Sequence, residues 1–195
     1  MTAEESRTTR RRQDPRFEAL FAEVAPALYA WAELRIRPTL RARLDPQDLV
    51  QEVWIRGMQG FARFDERGVS FRAWAFRIGK NILMEAIRAT RNDIVDTPGG
   101  VTSRMLALEG VPQDVTSFTQ RLAREESVRA FLEEASSLVE VERMLLVHCG
   151  LEGETCAEAA VKLGVSEDAA IKRWQRLKAK LRGESWSRSI LGAED

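Results

Sequence analysis

The chain has 195 residues, 44% of them hydrophobic and 31% charged, and its 30 Lys and Arg are matched by 30 Asp and Glu for no formal net charge. That composition is globular. No stretch approaches the roughly 20 apolar residues of a membrane span, and two cysteines, Cys149 and Cys156, are too few for a disulfide framework.

Chain order begins with a polar, Arg-rich start, "MTAEESRTTRRRQDP", whose first fourteen residues read as a disordered arm without the apolar stretch of a secretory signal. A cytoplasmic, reduced protein is expected. From Pro15 to about Arg37, Phe17, Leu20, Phe21, Val24, Leu28, Trp31 and Leu34 recur at three and four residues, the helical period, and Pro38 closes the helix. A second helix starts at Asp45 as N-cap, with Pro46 in the first position and Asp48 in the first turn, where a carboxylate suits the helix dipole. Its apolar stripe is Leu49, Val53, Gly57 and Phe61, and Asp48, Gln51, Glu52, Arg56 and Gln59 fall largely outside it.

Ser70 caps a third helix that runs to about Arg91. One stripe, Phe71, Trp74, Ile78, Ile82 and Ala86, reads as core, and a second is basic, with Arg77, Lys80, Met84, Arg88 and Arg91. Arg72 and Phe76 are boundary positions, and an outward Phe76 would offer a face for base stacking. Residues 94–120, with two prolines, three glycines and no sustained period, read as a linker. Two small helical domains, 15–93 and 121–183, are therefore expected, followed by a tail over 184–195 whose Trp186 and Ile190 either cover the second domain or offer a partner an apolar handle.

The second domain restarts with helices near Arg121 to Ala135 and Leu138 to Cys149, the latter ended by Gly150. "TCAEAAVKLGVSEDAAIKRWQRLKAKLR" then carries a Thr155 and Glu158 capping box, Gly164 as a stop, and Ser166 as a new N-cap. With small Ala160 at the crossing and Val165 at the corner, this matches a helix-turn-helix. Its last helix buries Ala170, Trp174, Leu177 and Leu181 and leaves Lys172, Gln175, Arg176 and Lys178 to meet phosphates and base edges. No strand pattern appears, so the fold class is all-α. His148, Cys149 and Cys156 lack paired ligand spacing and read as helix-end packing residues. With one histidine and no phosphate-binding glycine loop, no catalytic residue, metal or cofactor is expected.

In this order the motifs resemble the bacterial RNA polymerase sigma factors of the extracytoplasmic-function group of the sigma-70 family. "DPQDLVQEVWIRG" is similar to the family's D-x-x-Q-E-v-f motif, "FRAWAFRIGKNIL" to F-x-x-W-l-x-x-I-A-x-N, and the closing helix pair to the family's region four. The resemblance covers about residues 15–93 and 121–182. It implies that Asp48, Leu49, Gln51, Glu52, Val53 and Arg56 dock on the beta-prime clamp helices of core RNA polymerase, whose beta subunit is a further partner. It also implies that Arg77, Lys80, Asn81, Arg88 and Arg91, with Arg72 and Phe76 at the boundary, face the minus-ten element and melt it. Ser166, Lys172, Arg173, Gln175, Arg176 and Lys178 would lie at the minus-thirty-five element, and many relatives are held by an anti-sigma protein. The chain departs from the pattern at Ile171, Lys172 and Arg173, where Lys-Ser-Arg is common, and at Gly79, where Ala is common. Alternatives of other kinds are a stand-alone helix-turn-helix regulator and a sigma-like interaction adaptor without promoter activity.

Overall fold

The computed structural model describes residues 14–95 and 113–192, with side chains for 14–91 and 118–192. Ten α-helices carry the described chain, and no strand occurs among the described residues. The helices are α1 Pro15–Arg35, α2 Pro38–Arg41, α3 Pro46–Gly60, α4 Phe71–Val95, α5 Gln113–Leu122, α6 Glu126–Ser137, α7 Glu140–Leu145, α8 Cys156–Leu163, α9 Glu167–Leu181 and α10 Ser187–Leu191. The fold is all-α, as expected.

Local chemistry sets most helix starts. Asp14 Oδ1 accepts from the Arg16 N–H at 2.9 Å and Asp45 Oδ1 from the Asp48 N–H at 2.8 Å, each with proline in the first position behind it. Ser70 Oγ accepts from Ala73 N–H at 3.2 Å, and Ser166 Oγ from Ala169 N–H at 3.3 Å. At α8 the capping box is complete: the Thr155 N–H donates to Glu158 Oε2 at 2.8 Å while the Glu158 N–H donates to Thr155 Oγ1 at 3.2 Å. Gly164 ends α8 in the left-handed region, at φ 65°, where a side chain would be strained.

Two boundaries differ from the sequence expectation. Of the expected linker, residues 96–112 lie outside the described residues, but 113–120 belong to helix α5. Tertiary packing accounts for that helix, since Thr119 is fully buried and Phe118 meets the Phe21 ring at 6.4 Å. The helix expected to stop at Gly150 instead widens into a π turn over Leu146–Leu151. A Cβ at Gly150 would lie 3.0 Å from the Trp174 ring and 3.2 Å from Leu191, so the missing side chain lets three segments close on one another.

One apolar core runs through both halves of the chain. It takes Phe17, Leu28, Trp31, Leu49, Val53 and Phe76 from the first, and Phe131, Leu146, Leu181, Trp186 and Ile190 from the second. A smaller cluster of Leu145, Ala159, Ala160 and Ala170 joins α7, α8 and α9, with Val165 packed against it at the turn. Helix α1 is the common centre. From Val24 to Ala32 every residue is buried, so α1 presents core on all sides rather than one stripe. The tail covers the second half, with Trp186 edge-on to Phe131 at 5.1 Å and Ile190 fully buried.

Candidate nucleic-acid interface

Helix α4 carries two kinds of cation. Arg77, Asn81, Arg88 and Arg91 are exposed, with Met84 at 46% exposure among them, and their spacing of four, three, four and three residues makes one outward stripe. Arg72 and Lys80 lie off that stripe and point toward the second half of the chain. Phe76 is a correction. It is 2% exposed, its ring meets Trp31 edge-on at 5.7 Å, and it offers no open face to a base. Trp74, expected as core, is only half-buried and meets the Phe64 and Phe71 rings at a tilt, with centroids 5.1 and 5.4 Å apart.

Lys80 belongs to a charge cluster that no spacing in the sequence announces. Its Nζ lies 2.9 Å from Glu152 Oε2 and 3.1 Å from Glu154 Oε1. Glu152 Oε1 accepts from Trp31 Nε1 at 2.7 Å and sits 3.2 Å from Arg35 Nε. His148 Nδ1 lies 3.4 Å from Glu152 and 3.0 Å from Glu154, and Lys162 Nζ reaches Glu154 at 2.6 Å. Burial alone would push the Glu152 carboxyl up. Contacts from His148, Trp31 and Lys80 and the charge of Arg35 overcome it and hold the group well below the usual carboxylate range. His148, Glu152 and Glu154 place three metal-type donor atoms within 4.8 Å of one another, but Lys80 and Lys162 already neutralise the carboxylates.

Arg72 is held differently. One Nη2 donates to the Ile190 carbonyl at 2.9 Å and reaches toward Leu151 O at 3.4 Å, and the guanidinium lies 5.0 Å from the centre of the Phe76 ring. Burial pulls its pKa down to about 10.

The outer face of α3 is smaller than its sequence suggests. Asp48, Glu52 and Arg56 are half-exposed, whereas Leu49 and Val53 are buried beneath the crossing of α1 and α4. Gln51 is also buried, with Nε2 donating to Thr119 Oγ1 of α5 at 3.1 Å. These three are corrected from docking residues to core and inter-helix contacts. Burial and the neighbouring Asp45 push the Asp48 carboxyl up. Arg56 bridges α3 to α4, with Nε 2.6 Å from Glu52 Oε1 and Nη2 2.9 Å from Glu85 Oε2. Next to it, Gly60, Arg63, Trp74, Ile78 and Asn81 line an open groove of about 290 Å³.

On α9, Ser166, Lys172, Arg173, Gln175 and Arg176 are exposed, and Lys178 is half-exposed with Nζ 6.0 Å from the Trp174 ring centre. Ala170, Leu177 and Leu181 anchor the other face. Lys180 instead pairs with Glu134 at 2.5 Å and ties α9 to α6.

A helical chain with one cation-lined helix in each half is the class defined by the fold and these faces. Comparison with known proteins narrows it: residues 20–92 match the model of sigma-70 region 2. The chain is 28% identical over 138 residues to a protein described as "Probable RNA polymerase sigma factor RfaY" from Xanthomonas campestris pv. campestris, an alignment covering 71% of this chain and 33% of that relative. The chain thus spans about a third of the relative's length. No solved structure matches.

Proposed function

We propose that the chain is a sigma factor of the extracytoplasmic-function group that binds core RNA polymerase and directs it to two-part promoters. The observation that carries the reading is that the sigma-70 region 2 match, residues 20–92, contains both α3 and the open stripe of α4. Residues 15–93 then act as region two, residues 121–183 as region four, and the segment between them as the connection. Asp48, Glu52 and Arg56 are the polar groups of α3 open to a polymerase clamp. Arg77, Asn81, Arg88 and Arg91 track the strand at the minus-ten element.

In region four, α9 enters the major groove at the minus-thirty-five element. Ser166 sits at its start, and Lys172, Arg173, Gln175, Arg176 and Lys178 meet phosphates and base edges. Such a factor catalyses nothing itself. It supplies affinity, largely electrostatic and therefore salt-dependent, and redirects it into melting.

The test is core binding and promoter-dependent initiation with purified core polymerase. Asp48→Ala with Glu52→Ala is expected to weaken core binding at least tenfold while leaving the helical content unchanged. Arg173→Ala with Arg176→Ala is expected to weaken binding to the duplex and to reduce the steepness of its salt dependence by about 1 for each phosphate no longer neutralised. Core binding unchanged by the α3 pair would contradict this assignment of the clamp face.

A further inference from the structure

We propose that the chain holds itself shut: Glu152 and Glu154, which follow the π turn, and the closing helix α10 dock on Lys80 and Arg72 of α4. They keep that side of the helix from nucleic acid until phosphates displace them. The proposal rests on the sigma-factor reading for what α4 is meant to touch, and on the geometry alone for the closure itself.

Three observations support it. Both residues carrying the expected DNA contacts toward the second half are occupied from it, Lys80 by two carboxylates at 2.9 and 3.1 Å and Arg72 by the Ile190 carbonyl at 2.9 Å. The compensation of the two is unequal. Lys80 faces two carboxylates, whereas the described partners of Arg72 are carbonyl oxygens and a ring, so a phosphate oxygen there gives Arg72 an oppositely charged partner that the closed form does not give. Finally, Arg77, Asn81, Arg88 and Arg91 stay exposed while their neighbours are covered, which gives a strand a foothold on α4 before the covered cations are free.

The seal is not only ionic. Trp31 donates to Glu152 from a fully buried position, and Ile190 of α10 is also fully buried, so opening exposes apolar surface and does not occur freely. A ligand can shift such an equilibrium only by its differential affinity for the two forms. Phosphates bind the open form and meet carboxylates in the closed one, which is the required difference.

The experiment compares the unmodified chain with Glu152→Gln plus Glu154→Gln, and with Ile190→Ala as a second variant that leaves every charge in place. Circular dichroism checks that each remains helical. Small-angle scattering reports closure, and anisotropy of a fluorescein-labelled single-stranded oligonucleotide, without polymerase, reports access to α4. Expected are a larger radius of gyration and about tenfold tighter oligonucleotide binding in the variants, within the roughly 5- to 150-fold range usual for coupled sites. Unchanged radius and affinity in both helical variants overturn the closure, as does expansion without tighter binding. Run-off transcription on the unmodified chain separates the two readings. Initiation together with unresponsive variants removes the closure and leaves the sigma function standing. Responsive variants without initiation leave the closure standing as a guard on a nucleic-acid face and remove the sigma reading.

Discussion

Phe76 shows at the scale of one residue how an aromatic next to cations is misread. Its sequence neighbours Arg72 and Arg77 suggest a stacking face, yet the ring lies inside, between Trp31 and the guanidinium of Arg72. Phe76→Ala is therefore expected to cost about 3–4 kcal/mol of stability in chemical denaturation, the range for truncating a buried phenylalanine. Glu152 makes the complementary case. Its side chain is 1% exposed and faces Trp31, Arg35, Lys80 and His148, so Glu152→Ala strands several buried donors and is expected to cost about 3 kcal/mol. The sign with pH follows from its lowered pKa. The unfolded chain takes up the proton near the ordinary value of 4.5 while the folded group resists, so this contribution is complete above that value and is lost as pH falls below it. Urea midpoints measured from about pH 6 down to about pH 3 should drop faster for the unmodified chain than for Glu152→Gln.

Among the elements, helix starts were the most legible part of the sequence, because a cap is a hydrogen bond between residues two or three apart. Asp45, Ser70, Thr155 with Glu158, and Ser166 all cap as their spacing predicts. Gly164 is equally local: at φ 65° an alanine is strained by the left-handed conformation, and Gly164→Ala should lower stability by about 1 kcal/mol. Gly79 is different. Read from the sequence it only weakens α4, but an added Cβ would lie 3.2 Å from the Trp31 ring and 3.5 Å from Val53, so glycine lets α4 close on α1 and α3. Trp31 is fully buried and tied to Glu152, and it has little room to yield. Overpacking of about 1–3 kcal/mol then outweighs the helix gain of about 1 kcal/mol, and Gly79→Ala is expected to lower the melting temperature. Leu49 and Val53 lie in the apolar stripe that the period gives, and only the resemblance made them docking residues, whereas Gln51, outside that stripe, is covered by Thr119 of α5, a distant partner that no period announces.

For the whole molecule, the all-α class and the chain order of the motifs could be read from the sequence, and the packing of the two halves could not. One signal was present: the run from Val24 to Ala32 is apolar or small at every position, and a helix with no polar face needs cover on all sides. The second half supplies that cover through α6, the π turn and α10. Arg72 and Lys80 turn inward as a result, a placement set by residues 118 and 74 positions away that no local pattern encodes. The open stripe of α4, the polar edge of α3 and the exposed cations of α9 remain as three outward faces, and the proposed sigma function rests on them. Run-off transcription with purified core polymerase on genomic promoter fragments is the decisive measurement. Discrete transcripts that require this chain, and that disappear with Asp48→Ala plus Glu52→Ala, are expected, and an absence of chain-dependent initiation on every fragment would contradict the sigma-factor assignment.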